Sequence, residues 1–300
     1  MGKSVPASPP WYALPALLSL DTALLLVLWL AFFEALGLVV LTRSHYWLSF
    51  LFCLGGAACL RLSQASLLSP AERAADPRWE LIWQEYRLYI ILLPAVFTSA
   101  LILAFFDLGR VERWLLIPGF LLWLIYAVSR IVLRPGSEPS AFAFPKPLLI
   151  GLLFCFALGF VIWPTLSVSR LEITAALVGL SLFLGLAEGL EETPITQAKR
   201  DGRVSRFFLE NLCPGWTQRI PTGLVFLAGL SLIASISVPT GPLSILFSAL
   251  AGAGFNLFLL ALFRPLLNPL TVRLLSRPLM MLPTLPILLT TAWSWWEGRF

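Results

Sequence analysis

Three glutamates close a long apolar stretch in the middle of the sequence and could together bind a cation. Glu191 and Glu192 follow Glu188 by three and four residues, a spacing that makes each of them a neighbour of Glu188 on one face of a helix. Carboxylates at the carboxyl end of a helix oppose the helix dipole, so we expect a cation to compensate them. Mg²⁺ prefers oxygen ligands and would fit such a cluster.

Basic residues follow in the same polar stretch. Lys199, Arg200 and Arg203 could clamp a diphosphate through charge-assisted hydrogen bonds, and Asp201 could add a further metal ligand. The other interpretation is a solvated loop whose acids and bases pair with one another. Both interpretations stay open at the level of the sequence.

Two more acids, Asp21 and Glu34, interrupt the first apolar stretch. A carboxylate inside a bilayer costs about 2.5–3.5 kcal/mol on insertion scales, so it normally faces the interior of a helix bundle. The two acids lie about 220° apart around a helix and do not share a face. Asp21, nearer the predicted cytoplasmic end, is either a functional contact inside the bundle or a buried structural acid. For Glu34 we favour a buried structural acid that is protonated or bonded to a neighbouring helix.

The composition predicts a membrane protein. Of the 300 residues, 58% are hydrophobic and 12% are charged, whereas charged residues make up about 25% of an ordinary soluble domain. The bases are spread over many short loops, which does not indicate nucleic-acid binding. His45 is the only histidine, which excludes a His-rich metal or bis-His haem site, and no C-x-x-C pair is present.

The apolar runs predict an all-α, polytopic bundle of about nine transmembrane helices that forms one integral membrane domain over residues 1–300. The two longest polar connections, 61–87 and 187–220, are predicted to form a cap over an internal cavity. We place the spans at about 13–41, 46–67, 88–106, 114–133, 147–167, 171–190, 221–238, 243–263 and 278–296.

Lysine and arginine set the predicted orientation. Sixteen of the 21 fall on the side of the N-terminus and the long connections, which the positive-inside rule places in the cytoplasm. Arg273 and Arg277 are counted there, in a proline-punctuated segment that we expect at the membrane interface. We therefore predict a multi-pass protein of the bacterial inner membrane, or of a thylakoid-type membrane, with its C-terminus outside. Five arginines lie on the opposite side: Arg43, Arg110, Arg113, Arg170 and Arg299.

Aromatic and small residues add local expectations. Trp79, Trp83 and Tyr86 share a helix face and form either an interfacial belt or the mouth of an isoprenoid-sized groove. The tryptophans near the C-terminus (293, 295 and 296) indicate the outer interfacial anchor. Pro283 and Pro286 predict a kink in the last span, and "AGAG" (251–254) predicts close helix packing.

Three stretches resemble the UbiA superfamily of intramembrane prenyltransferases. "FPKPLLIGLLFCFALGFVIWP" (144–164) is similar to the fifth helix of that family, and "LSLFLGLAEGLEETPITQAKRDG" (180–202) lies where the family has its second Asp-rich motif. "LSLDTALLLVLWLAFFEAL" (18–36) looks like the opening of some divergent UbiA-like proteins. The predicted topology also matches along nearly the whole chain.

The resemblance implies a prenyl diphosphate, or another isoprenoid lipid, as ligand and Mg²⁺ as cofactor if the protein is catalytic. Glu188 and Glu191 would replace the first two acids of the second motif, with Asp21 acting in the cavity. The position of the first motif, "CLRLSQASLLSPAER" (59–73), has no Asp or Asn and carries Arg61 instead. The site that the resemblance implies has three groups of residues: catalytic Glu188, Glu191 and Asp21; ligand-binding Lys199, Arg200, Arg203, Arg61, Trp83 and Tyr86; metal-binding Glu188, Glu191, Glu192 and Asp201.

Two functions follow. One is transfer of a prenyl group from a prenyl diphosphate to an aromatic or lipid acceptor. The alternative, which the missing first motif favours, is a non-catalytic UbiA-like protein. It would bind a lipid, quinone or pigment, or act as a subunit or assembly factor of a membrane complex. A small-solute transporter ranks last, because several predicted spans have almost no polar residues.

Overall fold

Every regular element in the described residues is helical. The structure, a computed structural model, describes residues 20–67, 86–107, 109, 114, 117, 151, 154–155, 157–159, 161–165, 170–191, 216–267 and 269–297. The helices are α1 (Leu20–Ala35), α2 (Arg43–Leu67), α3 (Tyr86–Asp107), α4 (Arg170–Glu191), α5 (Trp216–Ser237), α6 (Pro242–Phe263), α7 (Pro269–Met281) and α8 (Leu285–Glu297). Short 3₁₀ turns occupy Trp163–Thr165, Arg264–Leu266 and Leu282–Thr284.

Within these residues, four helical segments are long and apolar enough to cross a membrane. They are Leu171–Leu190, Arg219–Ser237, Pro242–Leu266 and Thr271–Glu297. Large apolar side chains also face outward, as on α5, where Phe226, Ile233 and Ile236 are exposed. Such a surface suits lipid rather than water. The described part of the chain is therefore all-helical, and its long apolar helices indicate a membrane protein.

Most described helices coincide with predicted spans. Helices α2 to α6 fall within a few residues of the predicted ranges 46–67, 88–106, 171–190, 221–238 and 243–263. The described residues of 151–162 are helical, as are Trp114 and Ile117. The rest of the predicted fourth span lies outside the described part, so the number nine stays a prediction.

The first helix ends earlier than the predicted boundary at 41. Gly37 adopts a φ of 69°, in the left-handed region that glycine enters without strain. Its N–H donates to the carbonyl of Glu34, and the N–H of Leu38 donates to that of Phe33. This pair of bonds is a Schellman motif, and it terminates α1 at Ala35.

Helices α1 and α4 lie at the centre of the described bundle. The α1 side chains Leu25, Leu26, Trp29 and Leu30 are fully buried, and α1 packs on α2, α7 and α8. Helix α4 packs on α5, α6 and α7, with most of its second half buried. The middle of α1 and the second half of α4 are therefore enclosed by other helices.

Glycines permit the close approach that "AGAG" predicts. A Cβ built at Gly254 of α6 would lie 2.5 Å from Cε1 of Phe183 on α4, a distance that van der Waals contact forbids. A Cβ at Gly252 would lie 3.1 Å from Cγ of Pro283. The prediction of close helix packing is confirmed.

The last predicted span is a broken helix that begins earlier than residue 278. Helix α7 starts at Pro269, the 3₁₀ turn Leu282–Thr284 interrupts it, and α8 continues. Pro283 lacks an N–H, so it cannot bond to the carbonyl of Leu279. Nδ2 of Asn256 on α6 donates to that carbonyl at 3.0 Å. The predicted kink at Pro283 is confirmed, and a neighbouring helix satisfies the backbone that it frees.

Candidate functional site

Helix α7 turns its polar face toward the interior of the protein. Arg273, Ser276 and Arg277 are at most 5% exposed, whereas Leu275 and Pro278 on the opposite side are exposed. A soluble helix would have the reverse arrangement. Polar groups that face the bundle interior are typical of membrane helices, and they are functional candidates by default.

Arg277 forms an ion pair with Glu188 of α4 inside the bundle. The guanidinium Nη2 donates to Oε1 of Glu188, and the two side chains are 0% and 4% exposed. Nη1 of Arg277 donates to Oγ of Ser276 at 2.9 Å. Glu188 lies near the carboxyl end of α4, where its charge opposes the helix dipole. Arg277 is therefore a cation that compensates this acid.

Helix α1 joins the same group through Thr22 and Asp21. Nε of Arg277 makes a long contact of 3.4 Å with Oγ1 of Thr22. Oδ1 of Asp21 accepts from the backbone N–H of Thr22 at 2.8 Å and lies 3.4 Å from its Oγ1. We call Asp21, Thr22, Glu188, Ser276 and Arg277 the buried charge cluster. It joins α1, α4 and α7 at the end of the bundle where α1 begins and α4 ends.

Two further side chains lie close to this cluster. Arg273 precedes Arg277 by one helical turn and is buried on the same face of α7. Cys53 of α2 lies within electrostatic range of Asp21 and Arg277. The immediate surroundings thus contain two arginines and two acids, in a region of low dielectric where interactions between charges are strong.

A guanidinium held in this way can bind an anion. Arginine presents a planar set of donors that matches carboxylate and phosphate groups in pairs. In the structure one carboxylate oxygen, Oε1 of Glu188, accepts from Nη2. The same donors could bind a phosphate oxygen of a ligand in its place.

The structure brings together two of the residues that the sequence predicts for the site. Asp21 and Glu188 are far apart in sequence. Glu188 pairs with Arg277, and Asp21 bonds to Thr22, which contacts Arg277. The backbone of Glu191, Arg61 and Tyr86 lies in α4, α2 and α3, but their side chains lie outside the described part. The other predicted site residues also lie outside it: Trp83, Glu192, Lys199, Arg200, Asp201 and Arg203. The predicted cap over 61–87 and 187–220 falls largely there too.

The described residues do not by themselves fit Mg²⁺. No group of three or more His, Cys, Asp or Glu side chains among them could hold a metal ion. Glu188, the one predicted metal ligand with a described side chain, pairs with a guanidinium. The other predicted ligands lie outside the described residues, so the magnesium site stays a prediction.

Arg273 and Arg277 are members of the site that sequence reasoning missed. They were assigned to an interfacial segment as charges facing the cytoplasm, whereas both are buried. A signal was present, because Arg273, Ser276 and Arg277 recur at three- and four-residue spacing. Between and after them stand leucines and a proline, so the polar face of this helix is narrow and the apolar face is wide.

The opposite end of α1 carries a separate polar corner. Glu34 accepts a hydrogen bond from the hydroxyl of Tyr46 on α2 and one from the N–H of Leu41 at 3.2 Å. Oγ of Ser44 donates to Oδ2 of Asp107 on α3 at 2.7 Å. The expected bond from Glu34 to a neighbouring helix is confirmed. This corner is structural, because its contacts fix the connection between α1, α2 and α3.

Comparison with known proteins identifies no relative of this chain. No protein-family model, curated protein or solved structure matches the chain. The resemblance to the UbiA superfamily therefore stays a prediction that rests on the quoted stretches and the predicted topology.

Proposed function

We propose that this membrane protein binds an isoprenoid or other prenyl lipid, with the anionic headgroup at the buried charge cluster and the chain among the apolar helices. The observation that carries the proposal is the ion pair of Arg277 and Glu188, buried between α4 and α7 in an otherwise apolar bundle.

Energetics support a role beyond stability. Removing two charges from water costs several kcal/mol for each ion, and their mutual attraction often only restores that cost. Packed apolar residues would hold α4 against α7 at least as well. A bundle that keeps arginines and acids in its interior therefore has a use for them, and anion recognition is the use that guanidinium chemistry favours.

An amphiphile fits the surroundings better than a small polar solute does. The cluster lies at one end of α1, and the following turns of α1 bury Leu25, Leu26 and Trp29. A ligand that follows this helix would meet charge first and hydrocarbon next. That sequence of environments matches a phosphorylated headgroup joined to a prenyl chain.

Transfer of a prenyl group is the second candidate function. The observation that favours it is that Asp21 and Glu188, both predicted as catalytic, lie in one cluster with a buried arginine. The non-catalytic alternative predicts the same binding without any product. The two are separated by assay rather than by geometry.

The test uses purified protein in phosphatidylcholine nanodiscs and radiolabelled farnesyl diphosphate. We expect saturable binding by the wild type, a loss of at least about tenfold in Arg277→Lys because the paired donors are gone, and no change in Arg219→Gln, an exposed arginine on α5. Absence of saturable binding by the wild type would contradict the proposal.

The same preparation, given Mg²⁺ and an aromatic acceptor, tests transfer. Labelled product from the wild type and none from Glu191→Ala would assign catalysis. Binding without product would assign the non-catalytic function.

A further inference from the structure

We infer that Glu188 occupies the place of the ligand's anionic group on Arg277, so that headgroup binding exchanges a carboxylate for a phosphate and releases Glu188. This inference rests on the proposed function and concerns how the same site is regulated. No covalent bond changes in the exchange. One anion leaves the guanidinium and another takes its donors.

The first argument comes from the donors of Arg277. Its Nη2 donates to Glu188, its Nη1 to Ser276 and its Nε to Thr22. The last two acceptors are neutral hydroxyls, so the carboxylate of Glu188 is the anion that these contacts provide. An incoming phosphate would compete for the Nη2 donor and could leave the hydroxyl contacts in place.

The second argument comes from the helices that carry Arg277 and Glu188. Arg277 stands on α7, which the break at Leu282–Thr284 separates from α8, while Glu188 stands on α4, within a turn of its carboxyl end. The released carboxylate would therefore lie where α4 ends at Glu191. A negative charge is unfavourable at that helix end without a cation, so an empty site is expected to return to the paired state.

The third argument is energetic. A guanidinium buried without an anion would carry a large desolvation penalty. With Glu188 as an internal counter-ion the empty site avoids that penalty, and ligand binding then replaces one compensated state by another. The ligand must compete with Glu188, so its apparent affinity is lower than the intrinsic affinity of Arg277 for the headgroup.

The experiment compares equilibrium binding of farnesyl diphosphate to wild type, Glu188→Gln and Glu172→Gln in nanodiscs. Glutamine keeps the shape of Glu188 and removes its charge. Glu172 lies in the first turn of the same helix and serves as the matched control. We expect Glu188→Gln to bind at least about tenfold more tightly than wild type, because the competing anion is absent, and Glu172→Gln to bind like wild type.

Each outcome decides between the proposals. If wild type binds and Glu188→Gln binds equally or more weakly, the exchange is wrong and the proposed function stands. If neither binds, the proposed function fails and this inference fails with it. Binding by Glu188→Gln alone would contradict the proposed function, and the exchange with it, because the wild type would then not take up the ligand.

A second measurement avoids dependence on the folding of Glu188→Gln. Protein labelled with ¹³C-carboxylate glutamate gives a ligand-induced difference infrared spectrum. The exchange predicts a shift of one labelled carboxylate band on addition of farnesyl diphosphate, and loss of this shift in Glu188→Asp, which keeps the charge but not the label. An unchanged spectrum at saturating ligand would overturn the exchange.

Discussion

Arg277 shows how one side chain can connect three helices in an apolar interior. Its donors meet α4 at Glu188 and α1 at Thr22, and Ser276 of its own helix accepts from Nη1. Removing one member of a buried ion pair lowers the free energy of unfolding by more than the pair contributes to it, because the remaining charge stays desolvated. This asymmetry makes the pair testable by a mutant cycle.

Arg277→Gln should strongly destabilise the protein. The change leaves Glu188 buried without this cation, and we expect a loss of about 3–5 kcal/mol in the free energy of unfolding. The measurement is equilibrium unfolding in mixed micelles with increasing denaturing detergent. The double variant Glu188→Gln/Arg277→Gln should recover part of the loss, since neither charge remains. Strictly additive losses would contradict the ion pair.

Tyr46→Phe should weaken the corner between α1 and α2. It removes the hydroxyl that donates to Glu34, and hydrogen bonds to charged groups are worth about 1.5–3 kcal/mol. Glu34 is only half-buried, so we expect the lower end of that range in the same unfolding assay. Ser44→Ala is the control, because its bond to Asp107 is exposed and should contribute little. Equal effects of the two changes would contradict this assignment of Tyr46.

Among the residues of the buried charge cluster, the sequence identified the acids better than the arginine. Asp21 and Glu188 stood out because a carboxylate in or beside an apolar span needs a partner, and the structure supplies one for each. Arg277 was missed because the count of positive charges treats arginines in a short proline-punctuated segment as facing water. Helical spacing alone could not show that the polar face of α7 points inward, since that depends on which helices surround it.

The break between α7 and α8 is stabilised by the neighbouring helix α6. Pro283 leaves the carbonyl of Leu279 without its helical donor, and Asn256 of α6 donates to it. Gly252, one turn before Asn256, provides room for the ring of Pro283. The proline was enough to predict the kink. Its partner on α6 could not be predicted, because the pairing depends on the packing of two helices.

Asn256→Leu should cost stability only where Pro283 is present. In the wild type the change removes the donor to a partly buried carbonyl, at a cost of about 1 kcal/mol. In a Pro283→Ala background the N–H of residue 283 can bond to Leu279, so the cost of Asn256→Leu should fall. Unfolding of the four proteins of this cycle measures the coupling. An equal cost in both backgrounds would contradict the proposed role of Asn256.

Gly254→Ala should destabilise the contact between α6 and α4. Its Cβ would clash with Phe183, which is fully buried, and overpacking of this kind costs about 1–3 kcal/mol. Gly229→Ala on α5 is the matched control, because nothing lies within 4 Å of the position that its Cβ would take. The control should be neutral or stabilising by about 0.5–1 kcal/mol, since alanine favours a helix. A Gly254→Ala variant as stable as the control would contradict this packing.

The described part of the molecule is a helical bundle with four helices that are long and apolar enough to cross a membrane. Helices α2 to α6 were predictable from the runs of apolar residues, because lipid leaves a spanning chain few alternatives to a helix, whereas α7 was predicted only as an interfacial segment. The arrangement of the helices could not be predicted in the same way. Several helices carry apolar residues on all of their faces, so the sequence does not show which face contacts which neighbour. The predicted orientation rests on the distribution of lysine and arginine.

Cysteine labelling should place the two ends of α6 on opposite sides of the membrane. In a variant with its four native cysteines replaced by serine, Thr240→Cys before α6 should react with an impermeant maleimide in intact bacterial cells. Pro265→Cys after α6 should react only after permeabilisation, because the positive-inside rule places it in the cytoplasm. Both positions are exposed. The reverse pattern would contradict the predicted orientation.

The central claim, that the buried charge cluster receives the headgroup of a prenyl lipid, is tested most directly by the lipids that leave the membrane with the protein. Mass spectrometry of extracts from gently purified wild type and Arg277→Lys should show an isoprenoid lipid enriched over the host membrane in the wild type and depleted in the variant. Extracts that match the bulk membrane in both proteins would contradict the claim.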